Sequence, residues 1–132
     1  NIIDLGDIMV NEQLSVLVSA VRAATTNSNR FDNKSPKSYR GLHLAVDITV
    51  VPGVDTVTPK LEGYDETSGK YYDVLVGVPI AATGLTILKV YPGTVASPNV
   101  QANDVLPSTW RVTMTHSAAT NFTYSIGASL IG

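Results

Sequence analysis

The chain has no cysteine, which excludes disulfides and thiolate-held zinc and leaves packing and backbone hydrogen bonds to hold the fold. Charge is also scarce. Asp, Glu, Lys and Arg make up 15% of the 132 residues, against about a quarter in an average domain. The nine Lys and Arg are scattered and the net charge is −2. No basic track follows a phosphate backbone, so no nucleic-acid partner is expected. No apolar run approaches the roughly 20 residues that span a bilayer, so no membrane partner is expected. Asn1 rather than Met stands first, and no basic segment followed by an apolar one suggests a secretory signal.

What is present is apolar material. Hydrophobic residues make up 44% of the chain, and the length is that of one domain able to hold its own core. Low charge beside that much hydrophobicity argues against disorder. It also implies that part of the surface meets something other than bulk water.

Period-two alternation dominates the pattern. Leu42, Leu44, Val46, Ile48 and Val50 share one face of a strand over 41–51, with His43, Asp47 and Thr49 on the other. Trp110, Val112 and Met114 alternate over 109–116, and Phe122, Tyr124, Ile126, Ala128 and Leu130 over the last segment. Further strands are expected over 57–64, 70–76 and 85–90. Residues 14–25 fit either a strand (Leu14, Val16, Val18, Ala20) or a helix (Leu14, Leu17, Val18, Val21); their β-branched content favours the strand. Residues 26–39 and 94–108 read as polar loops. The expected fold is all-β: an antiparallel two-sheet sandwich, jelly-roll-like, of about seven to eight strands, with an inward set of Leu44, Val46, Ile48, Trp110, Val112, Tyr124 and Ile126. Residues 14–132 form the sandwich and 1–13 an extended arm.

No motif carries chemistry. Gly63 to Lys70 resembles a phosphate-binding loop, but five residues separate Gly63 from Gly69 where four are required, and Tyr71 stands where Ser or Thr would bind magnesium. It reads as a hairpin turn with Gly69 at positive φ. Asp65, Glu66 and Asp73 lack the offsets of a calcium loop. His43 and His116 have no third ligand at a recognisable spacing. Asp47 and Asp73 are candidate paired carboxylates that nothing in the sequence pairs, and no Gly-x-Ser-x-Gly elbow is present. Asn33-Lys34-Ser35 and Asn121-Phe122-Thr123 match the glycosylation sequon, and with no secretory signal in view the matches read as chance. Tyr71 and Tyr72 point to opposite faces, one to the core and one to the surface. The outward one, with Tyr39 and Tyr64, is a candidate contact patch. No metal, cofactor or enzymatic activity is expected. The candidate partner-binding residues are Ile2, Ile3, Leu5, Ile8 and Met9, five large apolar side chains within nine residues of the arm.

Several segments resemble a group of small tailed-bacteriophage proteins of the phage particle. They are Arg40-Gly-Leu-His-Leu-Ala-Val-Asp47, Gly69-Lys-Tyr-Tyr-Asp73, Val90-Tyr-Pro-Gly93, Asp104-Val-Leu-Pro-Ser-Thr-Trp-Arg-Val112 and Thr123-Tyr-Ser-Ile-Gly-Ala-Ser129, with Leu14 to Thr26 also similar. They run in order over most of the chain. The resemblance implies a virion protein, a decoration or cement protein on the capsid exterior. Its expected partner is the major capsid protein of a phage head, and it is expected to be a homo-oligomer, dimer or trimer. The alternative is a tail, baseplate or fibre module that binds a host receptor or carbohydrate.

Overall fold

The computed structural model describes residues 11–35 and 38–132. Among these the chain is all-β with no helix. Its strands are β1 (Glu12–Arg22), β2 (Thr26–Asn27), β3 (Phe31–Asp32), β4 (Gly41–Val50), β5 (Val57–Asp65), β6 (Lys70–Val76), β7 (Gly84–Val90), β8 (Gln101–Ala102), β9 (Thr109–His116) and β10 (Phe122–Ile131). One sheet runs β1-β10-β4-β7-β8 and the other β2-β9-β5-β6, with β3 also on β9.

The long strands follow the alternation. Leu42, Leu44, Val46 and Ile48 of β4, Trp110, Val112 and Met114 of β9, and Phe122, Tyr124, Ile126 and Ala128 of β10 are buried. They join Val57 and Leu61 of β5 and Leu88 and Val90 of β7 in one core between the sheets. Burying a large apolar side chain contributes about 1.5–3 kcal/mol, and this layer has no covalent support.

Several expectations need correction. Among the described residues ten strands form, not seven or eight. The segment 26–39 is not simply a loop, because Thr26 and Asn27 pair with Met114 and Thr113, and Phe31 and Asp32 with Trp110 and Thr109. These are too short to leave a period. Ser28 bridges them: its N–H donates to the Val112 carbonyl at 2.8 Å and its Oγ accepts the Val112 N–H at 2.9 Å. The segment 94–108 contains β8, whose pairing with β7 is parallel, so the first sheet is not wholly antiparallel. The strand expected from residue 14 begins at Glu12, so Glu12 and Gln13 belong to β1 and not to the expected arm.

Val50 does not join the inward face and is 53% exposed. β10 pairs Tyr124 with Ile48 but Thr123 with Val50, so Thr49 is an extra residue and the phase of β4 flips beyond it. Val18 faces out for the same reason, since β1 has register shifts between Ser15 and Leu17 and between Leu17 and Ala20.

The Asp65–Gly69 turn is built as expected. Gly69 has φ +72°, and its N–H donates to the Asp65 carbonyl at 2.8 Å. The Asp65 carboxylate accepts from Thr67 N, Ser68 N and Ser68 Oγ, which uses its oxygens locally. Gly63 lies under the Tyr72 ring, where a Cβ would sit 2.3 Å from the ring's ζ carbon.

Candidate interaction surface

The outer face of the β2-β9-β5-β6 sheet carries an ordered polar and aromatic grid. Antiparallel register sets Glu62 opposite Arg111 on one side and Asp73 on the other, and Tyr64 opposite Tyr71. Glu62 is buried although it faces away from the core. Its Oε1 accepts from Arg111 Nε at 2.9 Å and from Thr113 Oγ1 at 2.6 Å. Lys60 Nζ lies 3.3 Å from Glu62 Oε2 and 3.1 Å from Asp73 Oδ1. Burial opposes ionisation of Glu62. The bonds from Thr113 and Arg111 and the charge of Lys60 outweigh it and hold the carboxyl below the ordinary 4.5. Beside it, the Arg111 guanidinium stacks 3.5 Å from the Tyr71 centroid, Tyr71 lies 4.8 Å from Tyr64, and Arg30 covers Tyr64 at 4.4 Å. Two cation–π contacts flanking a ring pair hold these large side chains in place.

Where the sheets part, between β1 and β3, a cleft of about 520 Å³ opens over Leu14, Phe31, Trp110 and Leu130, rimmed by Glu12, Asp32 and Tyr39. Tyr39 OH donates to Glu12 Oε1 at 2.6 Å. Asn33, 7% exposed, closes the 33–39 segment: its Oδ1 accepts the Tyr39 N–H and its Nδ2 donates to the Tyr39 and Leu106 carbonyls. That nitrogen is engaged inside the fold, so the first sequon is not an open acceptor. A second, more polar cleft of about 540 Å³ adjoins it, lined by Arg30, Asp32, Lys34, Tyr64, Glu66 and Thr109.

The arm residues Ile2, Ile3, Leu5, Ile8 and Met9 lie outside the described residues. Of the candidate patch, Tyr64 and Tyr71 meet. Tyr39 does not join them, because it sits at the β1–β3 cleft. Tyr72 is half-exposed, so neither member of the Tyr71–Tyr72 pair enters the core. Asp47 and Asp73 face outward from different sheets, so the fold does not bring them together as a pair. Among the described residues no three His, Cys, Asp or Glu side chains converge on a metal position.

The histidines part company. His43 is exposed. His116 turns inward at the end of β9, with Nε2 2.8 Å from the buried Tyr124 hydroxyl and its ring edge-on to Phe122. Its Nδ1 is buried without a partner. Burial and the charge of Arg22 hold it below the ordinary 6.5. Arg22 ties down the end of β1, donating to the Val18, Ala20 and Tyr124 carbonyls.

Glu62, Arg111, Arg30 and Arg22 were not singled out by motif. The available signal was Lys60-x-Glu62-x-Tyr64, polar residues sharing one face of a strand; Arg111 joins them only through β5–β9 register. No protein-family model and no curated relative matches this chain.

Proposed function

We propose that this chain is a structural virion protein that decorates a tailed-phage capsid and stabilises it by bridging major capsid subunits from outside the shell. Each copy makes modest contacts, but contacts that cross a subunit boundary oppose separation of both subunits. The observation that carries this reading is the strand distribution, which we take as a jelly roll. With β2 and β3 as one interrupted strand and β8 as an addition, the orders β1-β10-β4-β7 and β2/β3-β9-β5-β6 put the first strand beside the last and, apart from the β5–β6 hairpin, switch sheets at each step along the chain. We read this order as the double Greek key of the kind found in viral capsid and lectin domains. The ordered segments that resemble phage particle proteins, and a polar face already paired within itself, support the same reading.

Attachment through the apolar arm follows from its composition. A few buried anchors at about 1.5–3 kcal/mol each are the largest apolar contribution to binding, before the entropy of ordering the segment is subtracted. Deletion of residues 1–10, which stops short of β1, is expected to leave the melting temperature unchanged and to abolish co-sedimentation with capsids stripped of the protein. A large fall in melting temperature, with the folded fraction still binding, would contradict attachment through the arm.

A second reading, a tail or fibre module that binds carbohydrate, draws on the polar cleft beside Tyr64. Arg30, Asp32 and Glu66 offer donors and acceptors to sugar hydroxyls there.

A further inference from the structure

The two outer faces of this sandwich are built differently. The face of the β9-β5-β6 sheet pairs its charges internally, through Lys60, Glu62, Asp73 and Arg111. The outer face of β1-β10-β4-β7 is nearly uncharged. Its centre is a row of small and aliphatic residues, Ser15, Gly127, Ala45 and Ile87, in register across the four strands. On one side of that row stands Ser129, His43 and Lys89; on the other, Ser125, Asp47 and Leu85. Among the described residues, none of His43, Asp47 and Lys89 takes part in an ion pair. Leu85 is 64% exposed and the end of the face carries Val21 and Val50, also exposed.

We propose that this face is a homodimer interface, its occupant the same face of a second copy related by a two-fold axis along the Gly127–Ala45–Ile87 row. The register dictates the pairing. A two-fold along that row reverses each strand over its own copy and exchanges the rows on either side. His43 then lies over the partner's Asp47, Ser129 over the partner's Ser125, and the Lys89 stem over the partner's Leu85, each contact occurring twice. A two-fold parallel to the strands instead keeps the rows and sets Asp47 opposite Ser125 and Lys89 opposite Gln13, so Asp47 loses the His43 it meets in the first arrangement. The angle of about 30° between packed sheets displaces the outer rows by only a few ångströms, within side-chain reach. Ser15 and Ala45 of the central row are short, the Gln13 amide lies over Gly127, and Ile87 adds an apolar contact at the β7 side.

Size sets the expected strength. Four strands about 4.8 Å apart, with about eight residues each rising 3.4 Å, give a face of roughly 500–600 Å² per copy. The total of about 1,000–1,200 Å² lies at the low end of specific interfaces. An interface of that size fits a reversible dimer, seen as a monomer–dimer equilibrium and not as a permanent assembly. This inference stands on the sheet face alone and does not require the virion reading.

Sedimentation equilibrium on the purified full chain, from nanomolar to near-millimolar concentration, tests it. The expected result is a reversible monomer–dimer equilibrium. Ala45→Lys, at the centre of the face, is expected to weaken it at least 100-fold with an unchanged far-ultraviolet spectrum. Asp47→Lys alone is expected to weaken it by placing a cation over His43, and His43→Asp combined with Asp47→Lys to restore it. Should Ala45→Lys fail to fold, the Asp47→Lys single and the double variant decide the matter. A monomer at every concentration, a trimer, a dimer indifferent to the folded variants, or a double variant no better than Asp47→Lys would overturn the proposal.

Discussion

Trp110→Ala is expected to cost about 3–5 kcal/mol, the range for deleting a large aromatic side chain from a packed core. Trp110 is 1% exposed at the start of β9 and lies 4.8 Å, ring centroid to centroid, from Phe31. It supports both the inner face of its own sheet and the short β3 strand paired to it. A cavity there removes the contact that holds β3, which has only Phe31 and Asp32 in register with β9. With no disulfide to limit the unfolded chain, the whole loss appears in the melting temperature, as a fall of about 10 °C or more. Thermal unfolding followed by circular dichroism measures it. A variant melting within a degree or two of the parent would place Trp110 outside the core and invalidate the strand phase.

The second large effect is expected at Glu62. Glu62→Gln preserves shape and a hydrogen bond to Thr113, but leaves Arg111 and Lys60 without the carboxylate they share. Removing a buried partner costs more than the pair contributes, because the remaining charge stays desolvated. Arg111 and Lys60 retain some solvent contact, so about 2–3 kcal/mol at neutral pH is expected, from chemical denaturation. The pH dependence separates this from simple misfolding. The folded carboxyl titrates below its ordinary 4.5, so the unfolded chain takes up the proton first. The stabilisation is complete above about 4.5 and is lost as pH falls through the folded value. The gap between parent and Glu62→Gln is therefore expected to close in acid. His116 contributes an earlier loss with the same sign. Its folded value lies below 6.5, so its contribution is present above 6.5 and declines as pH drops beneath it; His116→Gln is expected to remove that part of the slope. A gap that persists unchanged to low pH would show that Glu62 acts through shape and not through charge.

The sequence displayed the long strands because their inner residues repeat every second position without interruption, as Leu42 to Ile48 and Phe122 to Leu130 do. It concealed what the repeat cannot carry. β2, β3 and β8 are two residues each, too short for a period. The bulges in β1 and at Thr49 change the facing of Val18 and Val50 without any Gly or Pro to announce them. The Asp65 turn was legible because its chemistry is local, whereas the Glu62 network was not, because Arg111 and Thr113 lie 49 and 51 residues away and meet it only across β5–β9. The cleft between β1 and β3 was equally hidden, since Tyr39 and Trp110 are drawn to it from different parts of the chain.

The copy number of this protein on intact phage particles, measured against the major capsid subunit and located by imaging, tests the proposed role most directly. Decoration of the shell predicts a copy number that is a fixed ratio to the major capsid subunit, with density on the outer surface of the head across subunit boundaries. A few copies per particle, confined to the tail or its tip, would contradict that role.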